Sequence, residues 1–182
     1  STNAVRDGRS PSETEVAATL TKLVKAAKGR VAVTTFSSNV ARLRAVAEAA
    51  QAAGREVVLV GRAMERVVQV ARECGYLDGL PAFRNADYYG HFPPDKWVAL
   101  CTGSQGEARA ALARIASDDH PMVTLNKGDT VIFSSRTIPG NEKAVGTIIN
   151  GLVTQGIEVI TDRDALVHVS GHPRRDELRD MI

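Results

Sequence analysis

The end of the chain carries the side chains best suited to chemistry. Two imidazoles and a hydroxyl lie within five residues, in the segment His168-Val169-Ser170-Gly171-His172. The segment follows an apolar run at 157–160 that is typical of a buried strand, and open α/β sheets place their sites at the carboxyl ends of strands. Its glycine lets backbone approach a ligand closely. The alternative is a surface loop that carries histidines without function.

The other apolar runs are followed by similar turns, rich in serine, threonine, glycine and asparagine. These turns are 34–39 (TTFSSN), 102–107 (TGSQGE), and 134–136 (SSR) with 139–142 (PGNE). Hydroxyls and the free N–H groups of helix N-termini bind phosphate oxyanions. Any single turn is explained as well by helix capping and turn formation. Together with the 168–172 segment these make four turns on one edge, and with its two histidines they favour an anion site.

The elements that must position these residues alternate along the chain. Helical spacing predicts helices opened by the capping box of Ser12 and Glu15, by Ser38 or Asn39, and over 64–74, 107–116 and 141–154. Continuous apolar runs predict strands over 30–36, 56–60, 97–101, 130–134 and 157–160. This alternation is typical of a Rossmann-like, doubly wound α/β fold with a mainly parallel sheet and helices on both faces.

Two connections interrupt the alternation. Residues 76–94 read as a long surface excursion with a short helix near 86–88, and 118–129 as a connection with room for a short strand at 122–125. No GxGxxG follows the first strand, so a dinucleotide site is not indicated.

Composition sets the remaining bounds. The 182 residues fit one domain, and 4% aromatic residues leave the core to Val, Leu, Ile and Ala. A net charge of +2 is too small to indicate nucleic-acid binding, so any polyanion site must be local. Cys74 and Cys101 lack metal-ligand spacing and are expected as buried thiols. Four arginines on helix faces are expected to be mostly solvated: Arg42, Arg44, Arg62 and Arg66.

No apolar run is long enough for a membrane span, and no signal peptide is evident. The sequence therefore predicts a cytoplasmic protein that does not associate with a membrane.

Five ordered motifs resemble bacterial ribonuclease J, a β-CASP member of the metallo-β-lactamase superfamily. They are TTFSSN at 34–39, GRAME at 61–65, TGSQGE at 102–107, SS at 134–135 with PGNE at 139–142, and HVSGH at 168–172. The resemblance runs from Ser1 to Ile182. It implies a flank from the metallo-β-lactamase domain at 1–11, a β-CASP domain at 12–172, and at 173–182 the start of the helix that returns to the host domain.

The same resemblance implies the metals and the site residues. The HxHxDH zinc motif of the family is missing from the chain, so two zinc ions are expected on the parent's metallo-β-lactamase domain and none on this chain. His172 corresponds to the motif histidine near the metals. Glu13 resembles the family's acidic motif, with Glu15 as the alternative. The phosphate and RNA ligands are expected to be Gly103, Ser104, Gln105, Ser134, Ser135, His168, Val169, Ser170 and Gly171.

The implied parent is a zinc-dependent 5′-to-3′ exo- and endoribonuclease of RNA processing and decay, a homodimer or homotetramer. This domain would clamp single-stranded RNA and bind its 5′-monophosphate, and would be inactive alone. A non-catalytic nucleotide- or nucleic-acid-binding module is the alternative, and a small-molecule metallo-β-lactamase a third. Insertion into a host domain also predicts that the two chain ends lie together, and a single anion pocket is expected from Ser104, Ser134, His168 and Ser170.

Overall fold

The computed structural model describes residues 3–180, and six parallel strands form one sheet within them. The strand order is β3-β2-β4-β1-β5-β6. The strands are β1 (Val31–Thr34), β2 (Glu56–Val60), β3 (Arg84–Asn85), β4 (Trp97–Cys101), β5 (Thr130–Phe133) and β6 (Glu158–Ile160). Expectations that concern Ser1, Thr2 and Ile182 lie outside the described residues.

Helices connect the strands and cover the sheet. They are α1 (Glu13–Ala26), α2 (Val40–Ala52), α3 (Arg62–Glu73), α4 (Ala111–Ala116), α5 (Glu142–Thr154) and α6 (Arg175–Arg179), with short 3₁₀ turns at Ala86–Gly90 and Pro94–Lys96. Throughout the described part of the chain, no helix is long and apolar enough to cross a membrane.

The four central strands β1, β2, β4 and β5 bury side chains on both faces of the sheet. In β1, Val31 and Val33 pack with α1, α2 and α3, whereas Ala32 packs with α4 and α5 on the opposite face. Burial on both faces explains why the strands read as unbroken apolar runs. The predicted doubly wound α/β fold is therefore confirmed.

The direction in which successive strands are added to the sheet reverses once, although all the strands are parallel. From β1 the chain proceeds through β2 to the edge strand β3, and from β4 it proceeds in the other direction through β5 to β6. The last residues of β1 and β4, Thr34 and Cys101, lie side by side. The helices that follow these strands, α2 and α4, lie on opposite faces. Open α/β sheets bind ligands at such a switch in strand order.

Several local predictions are confirmed and others are wrong. The capping box of Ser12 and Glu15 forms, and β2 and β4 have the predicted bounds. The helix predicted from residue 107 begins only at Ala111, because the N–H groups of Ala111 and Leu112 donate to the side chain and carbonyl of Thr102 and hold 103–110 as a loop.

Three further details differ. The excursion at 76–94 contains β3, whose two exposed residues lack an apolar pattern, and 122–125 does not form a strand. Cys101 is buried as expected, but Cys74 is exposed because it caps the end of α3.

The two ends of the described chain lie against each other, as insertion into a host domain predicts. The Asn3 side-chain amide donates to the His172 carbonyl at 3.0 Å, and Arg175 N donates to Arg6 O at 3.0 Å. The hydroxyl of Ser10 donates to the Glu177 carboxylate at 2.9 Å.

Candidate functional site

A small cleft lies at the carboxyl ends of β1 and β4, where the strand order switches. We call it the switch-point cleft; its volume is about 170 Å³. Its lining residues are Thr35, Phe36, Ser37, Ser38, Ala63, Thr102, Gly103, Ser104 and Glu107. Gly103 has a φ of +113°, and a Cβ there would lie 3.0 Å from the Cβ atoms of Ala110 and Leu112. A side chain at 103 would therefore strain the loop that presents Ser104.

A second cavity, the terminal groove, lies beside the two chain ends and has a volume of about 260 Å³. Its lining residues are Ser10, Pro11, Glu13, Val169, Ser170, Gly171, His172, Pro173 and Glu177. The groove thus brings together the predicted acid Glu13, the hydroxyl of Ser170 and the imidazole of His172. The expectation of one pocket is not met, because Ser104 lines the switch-point cleft and Ser170 the terminal groove.

The Ser134 hydroxyl is fully buried and makes two hydrogen bonds inside the protein. Its Oγ donates to the Val167 carbonyl at 2.6 Å and accepts from Arg42 Nη1 at 2.7 Å. These contacts argue against Ser134 as a donor to phosphate and give it a structural role. The adjacent Ser135 is also buried.

The Gln105 side chain supports a neighbouring loop. Its Oε1 accepts from Ile138 N at 2.8 Å and from Asn141 Nδ2 at 3.3 Å, and its Nε2 donates to Arg136 O at 3.0 Å. Its backbone N–H donates to the Glu107 carboxylate. Gln105 therefore holds the 136–141 loop beside the switch-point cleft.

Arg42 is the residue that the sequence interpretation misplaced. It was expected on a solvated helix face, but its side chain is fully buried. Its guanidinium forms a bidentate ion pair with Glu13, at distances of 2.8–3.1 Å, and also donates to the Ser134 and Val167 carbonyls. Its neighbours on the same face of α2, Ala45, Val46 and Ala49, are all buried. The position of Arg42 within this apolar stripe was the one sequence signal that its side chain is buried.

The structure distinguishes the two candidate acids. The Glu15 carboxylate accepts from Ser12 N at 2.7 Å and from its hydroxyl at 3.1 Å, and these bonds lower the pKa of Glu15. Glu13 instead lines the terminal groove and pairs with Arg42. Of the two candidates, Glu13 is therefore the one that lines the groove with Ser170 and His172.

His168 precedes the groove residues and lies in a cationic, partly buried position. Burial, together with the charges of Arg42 and Arg136, lowers the pKa of His168 to about 4. Its Nδ1 is buried and has no hydrogen-bond partner among the described residues. The imidazole is therefore neutral at pH 7 and carries one N–H that can donate to an anion.

Comparison with known proteins identifies the family. A family model described as the β-CASP domain of ribonuclease J matches residues 28–152. The chain belongs to this family. It is 60% identical to ribonuclease J of Sinorhizobium meliloti over 181 residues, which are 100% of this chain and 32% of that protein. It is 46% identical to ribonuclease J of Mycolicibacterium smegmatis, covering 98% of this chain and 32% of the relative.

A more distant relative gives the same coverage. Ribonuclease J of Thermus thermophilus is 40% identical, over 98% of this chain and 31% of that protein. The chain thus spans about a third of the length of these curated relatives.

Ser170 and His172, which the resemblance implies are site residues, have groups that can act on a ligand. Ser170 Oγ accepts a bond of 3.2 Å from His172 N, which leaves the hydroxyl proton free to donate elsewhere. The imidazole of His172 is exposed in the groove.

Residues 3–180 do not form a metal centre by themselves. Within this range, no three histidine, cysteine, aspartate or glutamate side chains form a group that could hold a metal ion. The zinc pair that the resemblance implies belongs to the parent's metallo-β-lactamase domain, and the described residues do not by themselves supply a ligand set for it.

Proposed function

We propose that this chain is the RNA-binding, 5′-phosphate-recognising domain of a ribonuclease of the ribonuclease J family. The observation that carries the proposal is the meeting of Glu13, Ser170 and His172 in one groove, in a chain of the ribonuclease J β-CASP family. In the parent protein this groove would face the scissile phosphate, with the 5′-terminal phosphate nearby.

The side chains suit a terminal phosphate and a reacting phosphodiester. The Ser170 hydroxyl and the neutral His168 imidazole each supply one donor to phosphate oxygens. His172, exposed in the groove, would hold or transfer a proton at a bridging phosphate oxygen. Ser104 and Gly103 would contact the adjacent nucleotide through the switch-point cleft, and Gln105 would support the loop that presents them.

A third cavity extends the switch-point cleft and supports RNA binding. This arginine cleft has a volume of about 490 Å³ and includes Arg62, Arg109, Arg114 and His120 in its lining. It shares Ala63, Thr102 and Glu107 with the switch-point cleft. Within the described chain, Arg62 and Arg109 form no ion pair. The lining also holds the carboxylates of Glu65 and Glu107, so Arg62 and Arg109 are the arginines that would contact the backbone of single-stranded RNA.

The whole protein would be a 5′-to-3′ exo- and endoribonuclease of RNA processing and decay. Its zinc ions would take their ligands from residues other than 3–180, and this chain alone would bind RNA without cleaving it. A 5′-phosphate site suits 5′-to-3′ degradation, because each cut leaves a new 5′-monophosphate on the remaining RNA. A cytoplasmic homodimer or homotetramer completes the proposal.

The test compares RNAs that differ only at the 5′ end. The full-length parent is given single-stranded RNA with a 5′-monophosphate or a 5′-hydroxyl, and the products are resolved by length and time. We expect faster stepwise degradation of the monophosphorylated RNA. Binding without cleavage by the metal-loaded parent would favour the alternative of a non-catalytic nucleic-acid-binding module.

A further inference from the structure

The buried guanidinium of Arg42 connects three segments that are far apart in the chain. It donates to the Glu13 carboxylate in the first turn of α1 and to the carbonyl and hydroxyl of Ser134 at the end of β5. It also donates to the Val167 carbonyl, directly before the 168–172 segment. Glu13 is 29 residues away, and Val167 is 125 residues away. Glu13 lines the terminal groove, Val167 directly precedes the 168–172 segment, and Ser134 bonds Val167.

Packing alone does not require an arginine at this position. A charge removed from water is costly unless it is paired and hydrogen-bonded, and buried ion pairs are often matched in stability by apolar residues of similar volume. The neighbours Ala45, Val46 and Ala49 would accept an apolar side chain. What an apolar residue cannot supply is a set of directional bonds to three separate segments.

These bonds fix the segment that carries the motif. The residues between β6 and Val167 contain no helix or strand, so regular structure does not set the position of His168. The Val167 carbonyl accepts from Arg42 Nη1 at 2.9 Å and from Ser134 Oγ at 2.6 Å. On its other side, the guanidinium holds both carboxylate oxygens of Glu13.

We propose that Arg42 is a positioning residue that sets the spacing between the Glu13 carboxylate and the 168–172 segment, and so determines 5′-phosphate recognition. The inference rests on the proposed function. Arg42 is fully buried, so it acts on RNA only through Glu13 and the motif. A bidentate guanidinium is required because the ammonium group of lysine lacks its planar fork.

The experiment uses the full-length parent with Arg42→Met and Arg42→Lys. The matched control is Arg44→Met, because Arg44 is exposed on the same helix and binds Glu48 and the carbonyls of Tyr76 and Asp78. The readout is the ratio of kcat/KM on 5′-monophosphorylated RNA to that on 5′-hydroxyl RNA, with kcat and KM separated. Circular dichroism establishes that each variant is folded.

We expect Arg42→Met to reduce this ratio by roughly tenfold or more, since small displacements of binding groups have effects of this size. Arg42→Lys should recover part of it, and Arg44→Met should match the wild type. If Arg42→Met does not fold, Glu13→Gln tests the same ion pair from its other end and should also reduce the ratio.

The outcomes separate the two proposals. A wild-type kcat/KM ratio in folded Arg42→Met would overturn the positioning role. If Arg42→Met does not fold, a wild-type ratio in Glu13→Gln would overturn it instead. In either case, a reduced ratio in Ser170→Ala would still support the proposed function. A wild-type parent that does not distinguish the two RNAs would overturn the proposed function and this inference with it.

Discussion

The Ser134 hydroxyl donates a 2.6 Å hydrogen bond to the Val167 carbonyl, deep beneath the residues that carry the motif. This bond joins the end of β5 to the segment that leads into His168, and Arg42 donates to both partners. A serine expected from the sequence to contact phosphate therefore supports the site from below.

We predict that Ser134→Ala destabilises the chain by about 1–3 kcal/mol, because it removes one acceptor from a buried guanidinium and one donor from a buried carbonyl. Urea denaturation measures the change. Ser135→Ala is the matched control: Ser135 is also buried, but its hydroxyl is not a hydrogen-bond partner of Arg42 or Val167. Equal losses in the two variants would contradict the role given to the Ser134 bonds.

The misplacement of Ser134 and Arg42 shows where sequence reasoning stops. The strands β2 and β4 are predictable because each is an unbroken apolar run, and the α1 capping box because its two residues are three apart. The partners of Arg42 are not local, since Ser134 lies 92 residues away. An arginine on a helix face is predicted to be exposed unless such distant partners are known.

The start of α4 illustrates a second limit. The helical period after residue 106 is real, but Thr102 binds the N–H groups of Ala111 and Leu112 and delays the helix. The turn at 102–107 therefore presents Ser104 from a loop rather than from a helix N-terminus. Whether these N–H groups bond to Thr102 or to carbonyls one turn earlier in a longer helix depends on tertiary geometry. Helix propensity carries no information about that geometry.

We predict different effects for the two motif residues of the terminal groove. In the full-length parent, Ser170→Ala removes one donor to the terminal phosphate, a loss of about 1–3 kcal/mol, and should slow degradation of 5′-monophosphorylated RNA more than internal cleavage. His172→Ala should reduce both activities, because under the proposed function its imidazole would act at the scissile phosphate. Rates on end-labelled and circular RNA separate the two effects. Matching losses on both substrates for both variants would contradict this division.

We predict that the arginine cleft contributes electrostatic affinity for RNA. Arg62→Ala and Arg109→Ala should each weaken binding of single-stranded RNA uniformly across sequences and reduce the slope of log K against log salt by about 0.7. Fluorescence anisotropy at several salt concentrations measures this slope. Arg179→Ala, on α6 away from this cleft, serves as the control. An unchanged slope in both cleft variants would place the RNA elsewhere.

His168 should make the stability of the chain depend on pH in a defined window. Its pKa is lowered to about 4 by burial and by the charges of Arg42 and Arg136, whereas an unfolded histidine titrates near 6.5. Between these values the unfolded state binds more protons than the folded state, so stability falls as the pH is lowered from about 6.5 to about 4. The full shift corresponds to about 3 kcal/mol, and solvent screening of this partly exposed ring makes the actual loss smaller.

Urea denaturation at pH 7 and pH 4.5 measures this loss in the wild type and in His168→Asn, and the substitution should remove most of the His168 contribution. The pKa of His120 is also lowered, by burial and by Arg114, so the comparison is repeated in a His120→Asn background. An NMR titration of the His168 ring supplies the direct check, and a pKa near 6.5 would contradict the burial and the cationic surroundings assigned to this imidazole.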